Sequence, residues 1–441
     1  MHYVVCIRHF NDWDNIAPIV DAILDASQEA RVTVLSYGYI SLDEDPVAAL
    51  LSHRFCSRFV LLSLISQRTK SLAILLSRLV PGKKGRIFAA VSEAAFADVS
   101  GRGGFTRSIL LLLRRALRLE GFARQQLLRV AAVSSEFVVL ADINRGHQVR
   151  HLFSLLRASG ATKVLGLPTS PYVNANILRS ESRSRTADSA ETARKYDYDG
   201  FDAISVVDPF FSQNLSRLEQ LDRSFHSPIA EAQPIGSLRY SREWIDRKTQ
   251  VLPKLDTSGQ KPRVLLLESN PESNIHEHEM SFALSLLDAQ HHLDIVLRPH
   301  TRHTRYAKRR FTRIRVDDSS ETSTLIDWAD FVFFVSSSVA IEAIRREKAV
   351  FCMEFATSNL PSLAYVVGVT RLRCRDDLFV ALHLLPDRLN LYSPASPNVS
   401  HEYLKLDDIV RPHDVARDLA LEFVGIKQAH PAPATGPDGA A

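Results

Sequence analysis

Asp327 to Phe355 reads DWADFVFFVSSSVAIEAIRREKAVFCMEF. An apolar run from 331 to 335 ends abruptly in Ser336, Ser337 and Ser338. Apolar residues then recur at helical spacing from Ala340, with Glu342 among aliphatic neighbours, and a second apolar run follows from 349 to 355. Short runs with no polar alternation are strands covered on both faces, and strand–turn–helix–strand is the repeating unit of a parallel sheet. The serines therefore fall in a βα turn at the carboxyl edge of a sheet.

Working outward, the same alternation extends in both directions. PRVLLLESN is a strand, EHEMSFALSLLDAQ a helix, LDIVLRPH and TRIRV are strands, and STLIDWA is a helix. RDDLFVALHLL and HDVARDLALEFVGI read as terminal helices, and PAPATGPDGAA as a disordered tail. The chain also opens in this way: HYVVCIRHF is a strand, DNIAPIVDAILDAS a helix and ARVTVLSYG a strand. SEFVVLADI, ATKVLGLPT and FDAISVVDPFF continue it as strands. The pattern loosens between 235 and 262. The expectation is an α/β protein of two Rossmann-like domains facing across a cleft: residues 1–240, a linker at 241–262, and 263–428, with a tail at 429–441.

Composition fits that class. Of 441 residues, 45% are apolar and 24% charged, as in a folded globular protein rather than a disordered one. Cys6, Cys56, Cys352 and Cys374 lie far apart without a CxxC pair, which argues against a disulfide framework or a zinc site. The opening MHYVVCIRHFNDWDN turns polar too early for a secretory signal, and no run reaches the ~18 apolar residues of a spanning helix. A cytoplasmic protein is expected.

Charge is unevenly spread. Residues 54–129 carry fifteen Lys/Arg against Glu93, Asp98 and Glu120, so this segment holds +12 of a net +4 and the remainder is negative. Residues 48–130 read as a basic, Leu-rich helical insertion in the first domain. Helices such as FTRSILLLLRRALRLEGFARQQLLRV suit an anionic membrane surface, so peripheral association with the inner face of the cell membrane is expected. Stacking aromatics are nearly missing there, and no nucleic-acid partner is expected.

Four groups of residues carry candidate chemistry. Three hydroxyls at a sheet's carboxyl end suit phosphate binding, beside the amides of the following helix, although one of them alone would serve as a cap. Glu342 is either a hydroxyl acceptor for the ligand or a partner of the helix dipole. In VLRPHTRHTR, Pro299 ends a strand and brings Arg298, His300 and Arg302 to the same edge, where they would pair with phosphate oxygens. In RHFNDWDNIAP, Asp12 and Asp14 are two carboxylates in one βα loop, one more than a helix cap requires; either would serve as a general base on an acceptor hydroxyl. Asn11, Asn144, His147, Thr169 and Ser170 end strands of the first half and would line the acceptor side. NIHEHE lacks the spacing of a known metal site and reads as a helix start; no metal and no resident cofactor are expected. Neither a Walker sequence nor a GxGxxG after a strand is present, which argues against a P-loop NTPase or a simple dehydrogenase.

Taken together, the two halves, the RPH turn after a strand and the D-x-x-x-x-x-SSS-x-x-x-E turn resemble the GT-B glycosyltransferase architecture. The likeness is nearest to bacterial surface- and capsule-polysaccharide enzymes, of the CDP-glycerol glycerophosphotransferase or CMP-sugar transferase kind. FNDWDNIAPI and IGSLRYSREW are similar to stretches of surface-carbohydrate biosynthesis proteins. The resemblance implies a transferase that moves a sugar or a glycerophosphate from a CMP-, CDP- or UDP-linked donor to a surface polysaccharide or lipid-linked glycan. It implies that His300 and the serines hold the donor's phosphates, that Glu342 lies near its ribose or sugar, and that Asp12 or Asp14 is the base. Thr301 departs from the proline expected after the histidine, and Thr169-Ser170 from the His-Gly expected after Leu-Pro. A UDP-sugar 2-epimerase-like enzyme and a non-catalytic scaffold of the same fold are the alternatives.

Overall fold

The computed structural model describes residues 1–38, 42–71, 108, 111, 119–143, 146–168, 200–207, 233–269, 274–300, 306, 309–358, 362–385 and 411–426. At Asn11, Leu119, residues 146–148, Ser362 and Tyr365 only the backbone is described.

Two parallel sheets organise the chain. The first contains β1 (His2–Ile7), β2 (Arg31–Ser36), β3 (Phe59–Ser63), β4 (Phe137–Asp142), β5 (Ala161–Leu167), β6 (Ala203–Val206) and β7 (Gln233–Pro234), in the spatial order 3-2-1-4-5-6-7. The second contains β8 (Arg263–Leu267), β9 (Asp294–Arg298), β10 (Arg315–Val316), β11 (Phe331–Phe334), β12 (Ala349–Met353) and β13 (Val369–Leu372), in the order 10-9-8-11-12-13. The central strands show why the sequence folds this way. All six residues of β1 are buried, with Tyr3, Val5 and Ile7 in one core and Val4 and Cys6 in another. In β11, Phe331 and Phe333 face one layer of the second half while Val332 and Phe334 face the other. Phe333 stacks on Phe351 of β12 at 4.6 Å between ring centres.

Helices cover both faces. Among the described residues they are α1 (Phe10–Ala26), α2 (Pro46–Phe55), α3 (Leu119–Val133), α4 (Gly146–Ala158), α5 (Arg242–Val251), α6 (Glu277–Asp288), α7 (Thr322–Trp328), α8 (Ala340–Arg345), α9 (Arg375–Leu384) and α10 (His413–Phe423). Gly38 lets the chain leaving β2 pass over the chain leaving β1: a Cβ there would lie 2.0 Å from the Arg8 carbonyl oxygen.

Three features differ from the sequence-based expectation. Within 48–130, FVLLS forms β3 and extends the first sheet beside β2 rather than continuing a helix. A five-residue apolar run is ambiguous between strand and helix, and its unpaired neighbour β2 decided the matter. Most of the basic insertion lies outside the described residues. The expected linker also carries structure: Leu238–Tyr240 form a 3-10 turn, and α5 begins at Ser241, whose hydroxyl accepts the Trp244 N–H. Leu238 and Trp244 belong to the core of the first half and Tyr240 to that of the second, so the connecting segment is anchored on both sides. Lastly, α10, expected with the second half, packs on the first. Ala416, Ala420, Leu421 and Val424 join the core beneath α1, and Tyr3 donates to the Val424 carbonyl at 3.2 Å. Among the described residues no helix is long and apolar enough to cross a membrane.

Candidate functional site

In each sheet the strand order reverses at one point, between β1 and β4 in the first and between β8 and β11 in the second. Connections on either side of such a point leave in opposite directions and open a crevice at the carboxyl ends, where open α/β sheets bind their ligands. Only Arg8 and His9 separate β1 from α1, so Asp12 and Asp14 lie in the first turns of that helix rather than in the loop expected from sequence. The triple-serine turn follows β11, and both groups sit at the switch points. The RPH turn follows β9, one strand away.

On the second sheet, the end of β8 fixes both neighbouring turns. Glu268 is buried; one carboxylate oxygen accepts the His300 N–H and the other the Tyr306 N–H, both at 3.0 Å. Ser269 Oγ accepts the Ser336 N–H at 2.9 Å. Neither residue stood out in the sequence, because ESN after an apolar run looks like an ordinary strand end. Ser336 is buried, and Ser337 and Ser338 are half-buried. Their carbonyls accept the N–H groups of Ala340 and Ile341, and the cap position of α8 is Val339, with no side-chain cap. Capping by a serine is therefore not what this turn does. Arg298 is engaged by Thr322 Oγ1 and the Asp317 carbonyl at 3.2 and 3.1 Å, and so braces the start of α7.

Glu342 turned out to have partners no sequence spacing could reveal. Its side chain is 1% exposed, and it meets Lys248 Nζ at 3.1 Å and Arg346 Nη2 at 2.8 Å. Burial opposes its ionisation, but Lys248, Arg346, a hydrogen bond from Ser323 and Arg239 outweigh this and hold it at about 2. Lys248 comes from α5, so this ion pair ties the connecting segment to the helix that follows the triple-serine turn.

Across the cleft, the two aspartates differ. Asp12 is buried, and one of its oxygens accepts the Arg8 and His9 N–H groups at 2.9 and 3.0 Å, closing the first turn of α1 as a capping box. Asp14 is the exposed one, with 40% of its side chain open, and Arg239 Nη2 holds it at 3.2 Å. Arg239 also donates to Asn15 Oδ1 at 3.2 Å. Although burial works against its charge, Tyr240, Asp14, Glu342 and Glu321 together keep its guanidinium more basic than usual.

Asp14 lines a pocket between the halves, together with Asp45, Arg239, Lys248, Glu321 and Glu342. At about 40 Å³ it has room for water-sized occupants. Asp45 caps α2, accepting the Ala48 N–H at 2.8 Å and Trp13 Nε1 at 2.9 Å. Burial raises its carboxyl above the usual range against those two bonds, and Asp14 adds to the rise. Glu321 keeps part of its surface in water, but the cleft walls one side of its carboxyl; this partial burial, with Asp14 and Asp45, raises it against Arg298 and Lys248. Asp45 and Glu321 were not among the sequence candidates; each looked like an ordinary helix-start acid.

Of the remaining candidates, Arg302, Asn144, Thr169 and Ser170 lie outside the described residues, as do the side chains of Asn11 and His147. NIHEHE begins α6, where Glu279 pairs with Arg375 at 2.8 Å.

No family model matches the sequence, and no curated protein does. Solved structures do resemble the fold. UDP-GlcNAc 2-epimerase from Methanocaldococcus jannaschii superposes with a TM-score of 0.53 at 10% identity, over 96% of this chain and 100% of that one. A second UDP-N-acetylglucosamine 2-epimerase superposes at 0.52 with 14% identity, over 99% of both chains. The two-sheet architecture is thus GT-B-like.

Proposed function

We propose that this protein acts on a nucleotide-activated sugar and transfers its glycosyl unit, or a glycerophosphate, to a hydroxyl of a surface polysaccharide or lipid-linked glycan. The observation that carries this reading is the pairing of two switch-point turns. Ser336, Ser337 and Ser338 end a strand of one sheet, with His300 on the adjoining turn, and Asp14 lies in the first turns of α1, at the switch point of the other. Hydroxyls and an imidazole at strand ends suit the phosphates of a donor, and they would stabilise the charge that grows on the departing phosphate. For a glycosyl unit, Asp14, the more open of the two aspartates, takes the acceptor's proton as the acceptor oxygen bonds to the anomeric carbon. The bond from that carbon to the phosphate oxygen breaks, and the nucleotide leaves with the electron pair. For a glycerophosphate the oxygen would bond to phosphorus instead, displacing the nucleotide phosphate. Glu342 contributes by holding Lys248 and the start of α8 in place.

A second reading is favoured by one specific feature. Asp14, Asp45 and Glu321 line one pocket, more acid–base groups than a single proton abstraction needs, and the two structures compared above are those of 2-epimerases. An epimerase needs no acceptor. Incubating the purified protein with UDP-N-acetylglucosamine alone and following the sugar by NMR separates the two. Inversion at C2 without an acceptor supports epimerisation, whereas turnover that appears only with an added glycan supports transfer. Asp14→Asn is expected to lower transfer by about 100-fold or more. Unchanged turnover would remove Asp14 from the mechanism.

A further inference from the structure

The pocket between the halves has an unbalanced charge, and the imbalance falls across the seam. Asp14 on α1 and Asp45 at the cap of α2 belong to the first half, and Glu321 at the cap of α7 belongs to the second. The cations facing them are already committed. Arg239 holds Asp14, while Lys248 holds Glu342, which Arg346 shares. Arg298, which also acts on Glu321, is bonded to Thr322 Oγ1 and the Asp317 carbonyl. Asp45 receives neutral donors, the Ala48 amide and the Trp13 indole, and Glu321 makes no side-chain bond to the helix it caps. With every group ionised, four carboxylates of this pocket face two lining cations.

We propose that the meeting of the two halves is proton-linked: the closed arrangement takes up a proton at the cluster of Glu321 and Asp45, so the halves draw together as pH falls and part as it rises. The linkage follows from what closure does. Closure brings Glu321 to the wall of the pocket that Asp14 and Asp45 also line, and this crowding of like charge favours its neutral form. A state that favours the protonated group is in turn favoured by protons. The connecting segment is built to transmit such a change. Arg239 and Lys248 lie on it, ten residues apart or fewer, and each is bonded to a carboxylate in a different half. The proposal does not depend on which reaction the cleft performs.

The cysteines supply the probe. Cys56 and Cys374 are exposed, one in each half, while Cys6 and Cys352 are buried with thiols pushed well above their ordinary range by burial, Cys6 to about 12. Maleimide dyes therefore label the exposed pair in the natural sequence. Energy transfer between the dyes and the radius of gyration from X-ray scattering are followed from about pH 8 down to about pH 4, into the ordinary carboxylate range. The parent is expected to change transfer efficiency reversibly and to contract as pH falls. Glu321→Gln is expected to remain compact with a flat response, and Asp45→Asn to show a reduced one, since asparagine still caps α2. A parent with no response, or Glu321→Gln and Asp45→Asn both keeping the parent's full response, overturns the proposal.

Discussion

Glu342 shows what one residue adds to the sequence reading. Its place after three serines suggested either a ligand hydroxyl or a helix dipole; the structure gives it Lys248, 94 residues upstream, and Arg346. Removing one partner of a buried pair leaves the other charge uncompensated, which typically costs about 3–5 kcal/mol. Glu342→Gln and Lys248→Met are each expected to lower the unfolding free energy, read from urea titrations, by an amount in that range, and the double variant by much less than their sum. The pH dependence follows in sign. Glu342 is held at about 2, below the ordinary 4.5, so its contribution to stability is full above the ordinary value and is lost as pH falls from there towards 2. Urea titrations of parent and Glu342→Gln should therefore converge at the acid end of that window. Parallel curves across it would contradict the pairing. Asp12 and Asp14 teach the same lesson on the other side: the sequence could name two carboxylates, but only the fold assigns one to the cap and the other to the cleft.

At the scale of elements, the strand–turn–helix units were legible because their signals are local. Apolar runs such as 331–335 and 349–353, and helical spacing from Ala340, need no distant partner. What organises the turns was not legible, because it acts between strands that are neighbours only in space. Glu268 and Ser269 end β8 yet hold the turns after β9 and β11. Ser269→Ala would leave the Ser336 amide without its acceptor, at a cost of about 1–3 kcal/mol. If the donor reading holds, the same change weakens nucleotide affinity without touching the ligand. Thermal melts with and without nucleotide check both; an unaltered melt would show that the Ser269 bond is dispensable. β3 was misread for the reason that limits all short runs. FVLLS fits a helix or a strand equally, and the free edge of β2 settles it.

For the whole molecule, two Rossmann-like halves could be inferred from alternation, but not how they are joined. α10 returns to the first half, where Leu421 is fully buried beside α1. Leu421→Ala is expected to cost about 2–5 kcal/mol, read by urea unfolding, because the cavity opens in the first half's core. The charge asymmetry of residues 54–129 predicts binding to anionic vesicles. Replacing Arg114, Arg115 and Arg118 with Glu should abolish flotation with them, and flotation that persists would count against a basic membrane face. The most direct test of the central claim is calorimetric titration of the purified protein with CMP, CDP, UDP and GDP. The account predicts that at least one binds, and that His300→Ala and Ser337→Ala each weaken that binding by about tenfold, or about 1.4 kcal/mol. If none of them binds, or both variants bind as the parent does, the strand-end turns do not hold a nucleotide and the account is wrong.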